Sequence, residues 1–294
     1  MDGAEELITV AAVARRVGLA PATLRTWDRR YGLGPSAHTA GTHRRYCALD
    51  VARLMLMRRL IAAGVSPGDA AVKAKSHADV SSVDAATFNF VGNDELVSAL
   101  LNAVQSFDSE FIEQELRKEL VKSGTVITWT QVIAPVFVAL GRIWEETGKG
   151  VDLEHTFTGI VQKLFQESSS AINEEINTRP VLLAAVGNEL HSIAVYALSA
   201  ALAERGIKTH MLGAFTPHGA VQAAVERTVP PAIFLWASLK ENGNPSFFRT
   251  LPTVRPAPRI VLGGPGWDRD SCTGVVLAED LSQACLEIER AVGL

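Results

Sequence analysis

Cysteine is scarce in this chain. There are three in 294 residues, Cys47, Cys272 and Cys285, an odd number with no Cys-x-x-Cys spacing. This excludes a disulfide framework, argues against a zinc site, and fits free thiols in a reducing compartment. A basic-then-apolar signal region is missing from the N-terminus, and no uninterrupted apolar run approaches about 18 residues. The expectation is a cytoplasmic protein with no membrane partner. A large net charge is also lacking: the balance is −4, which argues against non-specific nucleic-acid binding by the whole chain but not by one basic module. What is present is 47% hydrophobic and 20% charged residues, enough for an ordinary core without disulfides or metals.

Charge is unevenly spread. From Arg15 to Arg59 basic residues recur, with only Asp28 and Asp50 as acids. Residues 93–175 are acidic, and residues 178–294 are richer in Val, Leu, Ala and Gly. These shifts divide the chain into modules at 1–76, 93–177 and 178–294, with a linker at 77–92 that has little helical periodicity.

The stretch "ITVAAVARRVGLAPATLRTWDRRYGL" reads as helix–turn–helix. Val10, Val13, Ala14 and Val17 share one face, Thr9 is an N-cap, Gly18 ends the helix, and Pro21 opens the next. The second helix presents Thr23, Arg25, Thr26, Arg29, Arg30 and Tyr31, the hydroxyls and guanidinia that phosphate and major-groove contacts require. An irregular Gly/Ser/Thr-rich part follows and reads as a short β-wing with His43, Arg44, Arg45 and Tyr46 at its tip. A helix from Asp50 to Ala63 comes next, then another capped at Ser66 with Asp69 at the third position. "TLRTWDRRYGL", "GTHRRY" and "DVARL" in this order resemble the winged-helix domain of the MerR family of transcription regulators. Thr42 and Cys47 depart from the family's usual glycine and serine. The resemblance implies binding to a double-stranded DNA operator as a dimer.

In the last module an apolar run, Val181 to Val186, leads into the loop Gly187-Asn188-Glu189-Leu190-His191 and then an Ala-rich helix to about Glu204. "KTHMLG", "PAIFLWASL" and "RIVLGGPGW" supply further buried strands of a Rossmann-like parallel sheet. Such sheets bind ligands at the carboxyl ends of their strands, where His191, Ala237-Ser238-Leu239 and Gly263-Gly264 fall. Glu189-x-His191-x-x-Ala194, Ala237-x-Leu239 and Gly263-Gly264 resemble the base-off/His-on cobalamin-binding fold, whose pattern is Asp-x-His-x-x-Gly, Ser-x-Leu and Gly-Gly. The resemblance implies His191 as the lower axial ligand to cobalt, oriented by Glu189, with the nucleotide tail in a glycine-lined groove. Ala194 in place of Gly narrows that groove, and Ala237 in place of Ser removes a hydroxyl directed at the tail's base.

Between these modules lie four helical runs, Asn93–Ser106, Asp108–Ser123, Thr125–Thr147 and Asp152–Asn177, with Asn93 and Asp108 as caps. They read as a four-helix bundle. "W-x9-E-H", formed by Trp144, Glu154 and His155, resembles the adenosylcobalamin-dependent light sensors of the CarH/LitR type, which have this domain order. There the bundle lies over the upper cobalt face, and the tryptophan and the acid meet the adenosyl group. Glu145 stands where some members carry a histidine, leaving water or His155 as candidates for the upper position after photolysis. The whole resemblance implies a non-enzymatic, light-responsive transcriptional repressor with adenosylcobalamin as chromophore and a light-dependent dimer or tetramer. The competing expectation is a light-indifferent regulator that senses cobalamin or another tetrapyrrole. A corrinoid methyl carrier would have no use for the basic winged helix.

Overall fold

In the computed structural model, which describes residues 7–36, 44–62, 65–78, 92–171 and 174–294, the first helix starts where a threonine can cap it. β1 (Ile8–Thr9) leads into α1 (Val10–Val17), and the Thr9 hydroxyl accepts the Ala12 N–H at 3.3 Å. Gly18 closes α1 in the left-handed region, at a φ that only glycine takes without strain. Pro21 opens α2 (Pro21–Tyr31), whose Leu24 and Trp27 are buried. β2 (Arg45–Tyr46) pairs antiparallel with β1. α3 (Ala48–Ala62) buries Val51, Leu54, Met57 and Leu60, and α4 (Pro67–Ser76) is capped by Ser66 as the sequence indicates.

The chain forms two compact units. One is Met1–Ile112 with Pro135–Thr156, and the other is Glu113–Ala134 with Phe157–Leu294. The four expected helical runs are present as α5 (Asn93–Gln105), α6 (Ser109–Thr128) with a π-helical turn at Trp129–Ile133 running into α7 (Ala134–Thr147), and α8 (Val151–Ser170). Three details differ from the sequence reading. Gly92, not Asn93, holds the cap position of α5. α8 stops at Ser170 rather than Asn177. The Ser168, Ser169 and Ser170 hydroxyls donate back to the carbonyls four residues earlier. Asn177 instead donates to Arg179 O and Lys208 O, and accepts the Lys208 N–H at 2.7 Å. Finally, Ser109–Thr147 contains an 18-residue window of mean hydropathy 1.6, more apolar than expected. A non-helical residue, Gly124, and the π-turn interrupt it.

In the first unit, Asp108 caps the start of α6 by accepting the Phe111 N–H. Its carboxylate also accepts two bonds from the buried Arg59 guanidinium, at 2.8 and 2.9 Å, and one from Arg58 at 2.7 Å. Burial alone would raise the pKa of Asp108, but the hydrogen bonds and charge of Arg59, then the charge of Arg58, hold it below the ordinary carboxylate range.

The second unit is built on a five-stranded sheet in the order β4-β3-β5-β6-β7. Its strands are β3 (Val181–Val186), β4 (Thr209–Thr216), β5 (Ala232–Trp236), β6 (Arg259–Gly263) and β7 (Val276–Leu277), and every pairing is parallel. The short edge strand β7 carries too little pattern to be read from sequence. α9 (Ile193–Ala203), α10 (His218–Thr228), the short α11 (Ser246–Arg249) and α12 (Leu281–Val292) belong to the same unit, as do the segment Glu113–Ala134 and the part of α8 from Phe157. All six residues of β3 are buried because both sheet faces are covered. Phe234, with Leu198 and Ile288, packs one face, while Leu235, with Val221 and Leu262, packs the other. Chain order reverses between β3 and β5, so the carboxyl ends of those two strands form the crevice where such sheets hold ligands.

Candidate functional site

On α2, Arg25, Arg29 and Arg30 are exposed, and Thr23 and Tyr31 are half-buried beside them. Arg45 is exposed on β2. Tyr46 is a correction to the sequence reading, because its side chain is fully buried. Alternation along the strand that pairs Tyr46 with Ile8 turns Arg45 outward and Tyr46 into the core. Burial first, and then the Asp28 carboxylate, push its phenol above the ordinary value. Arg44 is committed in part to Asp28, at 3.1 Å. His43 lies outside the described residues.

At the crevice, Glu189 is fully buried. One carboxylate oxygen accepts the His191 backbone N–H at 2.9 Å and lies 2.8 Å from His191 Nδ1. The other accepts the Ser238 N–H at 2.7 Å, the Ser238 hydroxyl at 2.8 Å, and the Leu239 N–H and Asn242 Nδ2 at 3.2 Å. Burial would raise the Glu189 pKa. The bonds from the His191 N–H, from Ser238 and from the His191 ring outweigh it and bring the carboxyl down to about 2. An ionised carboxylate only accepts, so His191 Nδ1 carries the proton and Nε2 carries the lone pair. The imidazole is 60% exposed. A buried acid that fixes the tautomer of an exposed imidazole is the arrangement of a metal-ligating histidine.

Exposed apolar side chains surround this loop: Leu190, Leu239 and Phe215. The Phe215 N–H donates to Glu189 O at 2.8 Å, and Phe215 sits at φ 53°, an unusual value for a bulky residue and one that concentrates at functional sites. Nearby is a cavity of about 690 Å³ lined by Ala194, Gly263, Gly264 and the aromatic residues Trp129, Trp236 and Trp267. A Cβ on Gly264 would lie 2.2 Å from Ala237 O, and one on Gly263 would lie 2.4 Å from the Phe234 ring, so glycine is required at both places.

The structure thus brings Glu189, His191 and Leu239 together and places Gly263 and Gly264 on the adjoining cavity. Ala237 is a second correction. Its methyl is fully buried in the core cluster of Leu235 and Val221, so its side chain does not line the cavity. Ser238, at the motif's unassigned middle position, donates its hydroxyl to the Glu189 carboxylate at 2.8 Å. Trp144, Glu154 and His155 belong to the other unit. Trp144 is in the last turn of α7 and 53% exposed; Glu154 is half-buried and His155 exposed in the first turns of α8.

Residues 8–76 match the family described as MerR HTH family regulatory protein. These residues form a MerR-type helix–turn–helix domain. The chain is 25% identical over 269 residues to the HTH-type transcriptional repressor CarH of Myxococcus xanthus, covering 90% of this chain and 89% of that protein. It is 24% identical over 266 residues to the HTH-type transcriptional repressor CarA of the same organism, covering 88% and 87%. The solved structure of the monomethylamine corrinoid protein of Methanosarcina barkeri is similar with a TM-score of 0.52, at 14% identity, over 68% of this chain and 99% of that chain. That likeness shows the fold of the helical and parallel-sheet regions. Both relatives are named transcriptional repressors, which agrees with the expectation of a non-enzymatic regulator. Sequence reasoning missed Ser238 and Asn242 as partners of Glu189, and the tryptophan lining of the cavity. The polar run "ASLKEN" directly after a buried strand is the signal that marks the first two.

Proposed function

We propose that this regulator is a light-responsive transcriptional repressor with adenosylcobalamin as its chromophore. The observation that carries the proposal is the exposed His191 imidazole, its tautomer fixed by the buried Glu189, beside a glycine-lined aromatic cavity. The residues fit the group. Nε2 offers a lone pair, the loop around it is apolar enough to lie against a macrocycle, and Gly263 and Gly264 leave room for a nucleotide tail. Adenosylcobalamin, when bound, supplies a cobalt–carbon bond that light breaks. His191 would hold the cobalt through the Nε2 lone pair. Glu189 keeps Nδ1 protonated, and Ser238 and Asn242 keep Glu189 in place.

For Trp144, Glu154 and His155 the proposal is contact with the adenosyl group. It rests on the sequence resemblance and on the exposure of the indole, which a purely core tryptophan would lack. Loss of those contacts in light then shifts the equilibrium between arrangements of the chain, by the difference in affinity of the two ligand states. The operator-bound form is a dimer or tetramer in the dark. Arg25, Arg29, Arg30 and Arg45 carry the phosphate contacts. The test is an absorbance spectrum of the full chain with adenosylcobalamin before and after green light, with operator retention followed in parallel. The spectrum and the DNA affinity should change together, and both changes should be lost in His191→Ala. A bound corrinoid whose illumination leaves DNA affinity unchanged contradicts the light-sensing role.

A further inference from the structure

The helix that lines the tryptophan cavity is held in an unusual way. Gly124 (φ 75°, ψ 169°) breaks α6, and the helix must restart at Thr125 with unsatisfied N–H groups. The cap comes from far away in sequence. The Glu204 carboxylate, directly after α9, accepts the Thr125 N–H at 2.7 Å and the Thr125 hydroxyl at 2.6 Å. A carboxylate at a helix N-terminus is also favoured by the helix dipole. A Cβ on Gly124 would stand 3.4 Å from the same carboxylate, an ordinary contact, so it is the left-handed φ of 75° that calls for glycine here. One turn later the helix widens into the π-turn, closed by the Ala134 N–H on Trp129 O. Such turns are rare and gather at functional sites. Trp129, Thr130 and Ala134 form one wall of the cavity. Three of the chain's five tryptophans line it, a lining suited to a planar heteroaromatic group.

We infer that Trp129 is a specificity-determining residue for the corrinoid's lower base, and that Glu204 is the positioning residue that seats it. This rests on the corrinoid reading above. In this view the indole stacks on the heteroaromatic base of the nucleotide tail. The regulator thereby selects complete corrinoids over forms that lack the tail. Glu204 acts only through the register of the helix that carries Trp129.

The experiment compares binding of adenosylcobalamin and adenosylcobinamide, which has the same corrin and adenosyl group but no nucleotide tail. Binding is measured in the dark on the full chain by tryptophan quenching and absorbance. Wild type should prefer adenosylcobalamin. Trp129→Ala should cut that preference by about tenfold, the scale of one base–aromatic stack, while adenosylcobinamide binding stays unchanged. Glu204→Ala should cut it in the same direction, and Glu204→Gln, which keeps an oxygen acceptor, should restore most of it. Trp129→Phe, the better-packed variant, should keep part of the preference. Equal weakening of both ligands by Trp129→Ala and Trp129→Phe, or an unchanged preference in both, overturns the inference while leaving His191-dependent binding intact. Wild type that binds neither corrinoid overturns the corrinoid reading, and this inference with it.

Discussion

Replacing Glu189 by Gln keeps the shape of the side chain and removes its charge. Every group around the carboxylate is a donor. Two reach one oxygen, from the His191 N–H and ring, and four reach the other, from Ser238, Leu239 and Asn242. An amide NH₂ must therefore face donors in either orientation. The less costly choice points it at His191, whose Nδ1 can then accept by switching tautomer. That switch places the proton on Nε2 and removes the metal-binding lone pair. The cost to stability follows from linkage. A carboxyl lowered from its ordinary 4.5 to about 2 contributes roughly 3 kcal/mol to the folded state. The folded pKa is the depressed one. The contribution is thus fully present above pH ~4.5 and is lost as pH falls toward ~2. Chemical denaturation of the cobalamin-free chain should show Glu189→Gln less stable by about 2–3 kcal/mol at neutral pH, with the gap closing below pH ~4.5. The variant should also fail to show histidine ligation of a corrinoid. A gap that stays constant through the acid range, or full stability with normal ligation, would refute this account of the Glu189–His191 pair.

Asp108→Ala strips the bidentate partner from a buried guanidinium and removes a helix cap. Unfolding of the unit that contains it should become easier by about 3–5 kcal/mol, and a neutral result in a denaturant melt contradicts the reading. Tyr46→Phe removes a hydroxyl that is buried without a partner among the described residues. The melting temperature should hold or rise and DNA affinity should not change; lost DNA binding in a folded variant would return Tyr46 to the interface. Arg29→Ala with Arg30→Ala should weaken binding to all sequences and reduce the salt dependence by about two phosphate contacts. Arg44→Ala should have less effect than Arg45→Ala, because Asp28 already holds Arg44. Filter binding across a salt series checks both statements.

What could be read from sequence was local. Thr9, Gly18, Pro21 and Ser66 fix helix ends through groups within a few residues, and the structure has each of them in that place. The β3 loop was legible for the same reason, since six buried residues followed by a polar turn must end at the sheet's carboxyl edge. The misses have long-range causes. Ser238 reaches Glu189 across 49 residues, while the neighbouring Ala237 methyl is buried in the core cluster. Glu204 caps Thr125 across 79 residues, which no local pattern records. Tyr46 carries the chemistry of a DNA contact, but its strand register turns it inward. α8 ends early because three successive serines bond back into it, a competition that hydrophobic periodicity does not register.

The most direct test of the central claim is the electron paramagnetic resonance spectrum of the full chain loaded with cobalt(II) cobalamin, prepared with ordinary and with ¹⁵N-labelled histidine. If His191 Nε2 is the axial ligand, labelling histidine alone converts the triplet superhyperfine splitting of the cobalt lines into a doublet, and His191→Ala abolishes the effect. A triplet that persists with labelled histidine means that the corrinoid keeps its own base on cobalt, which contradicts the role assigned to His191 and Glu189.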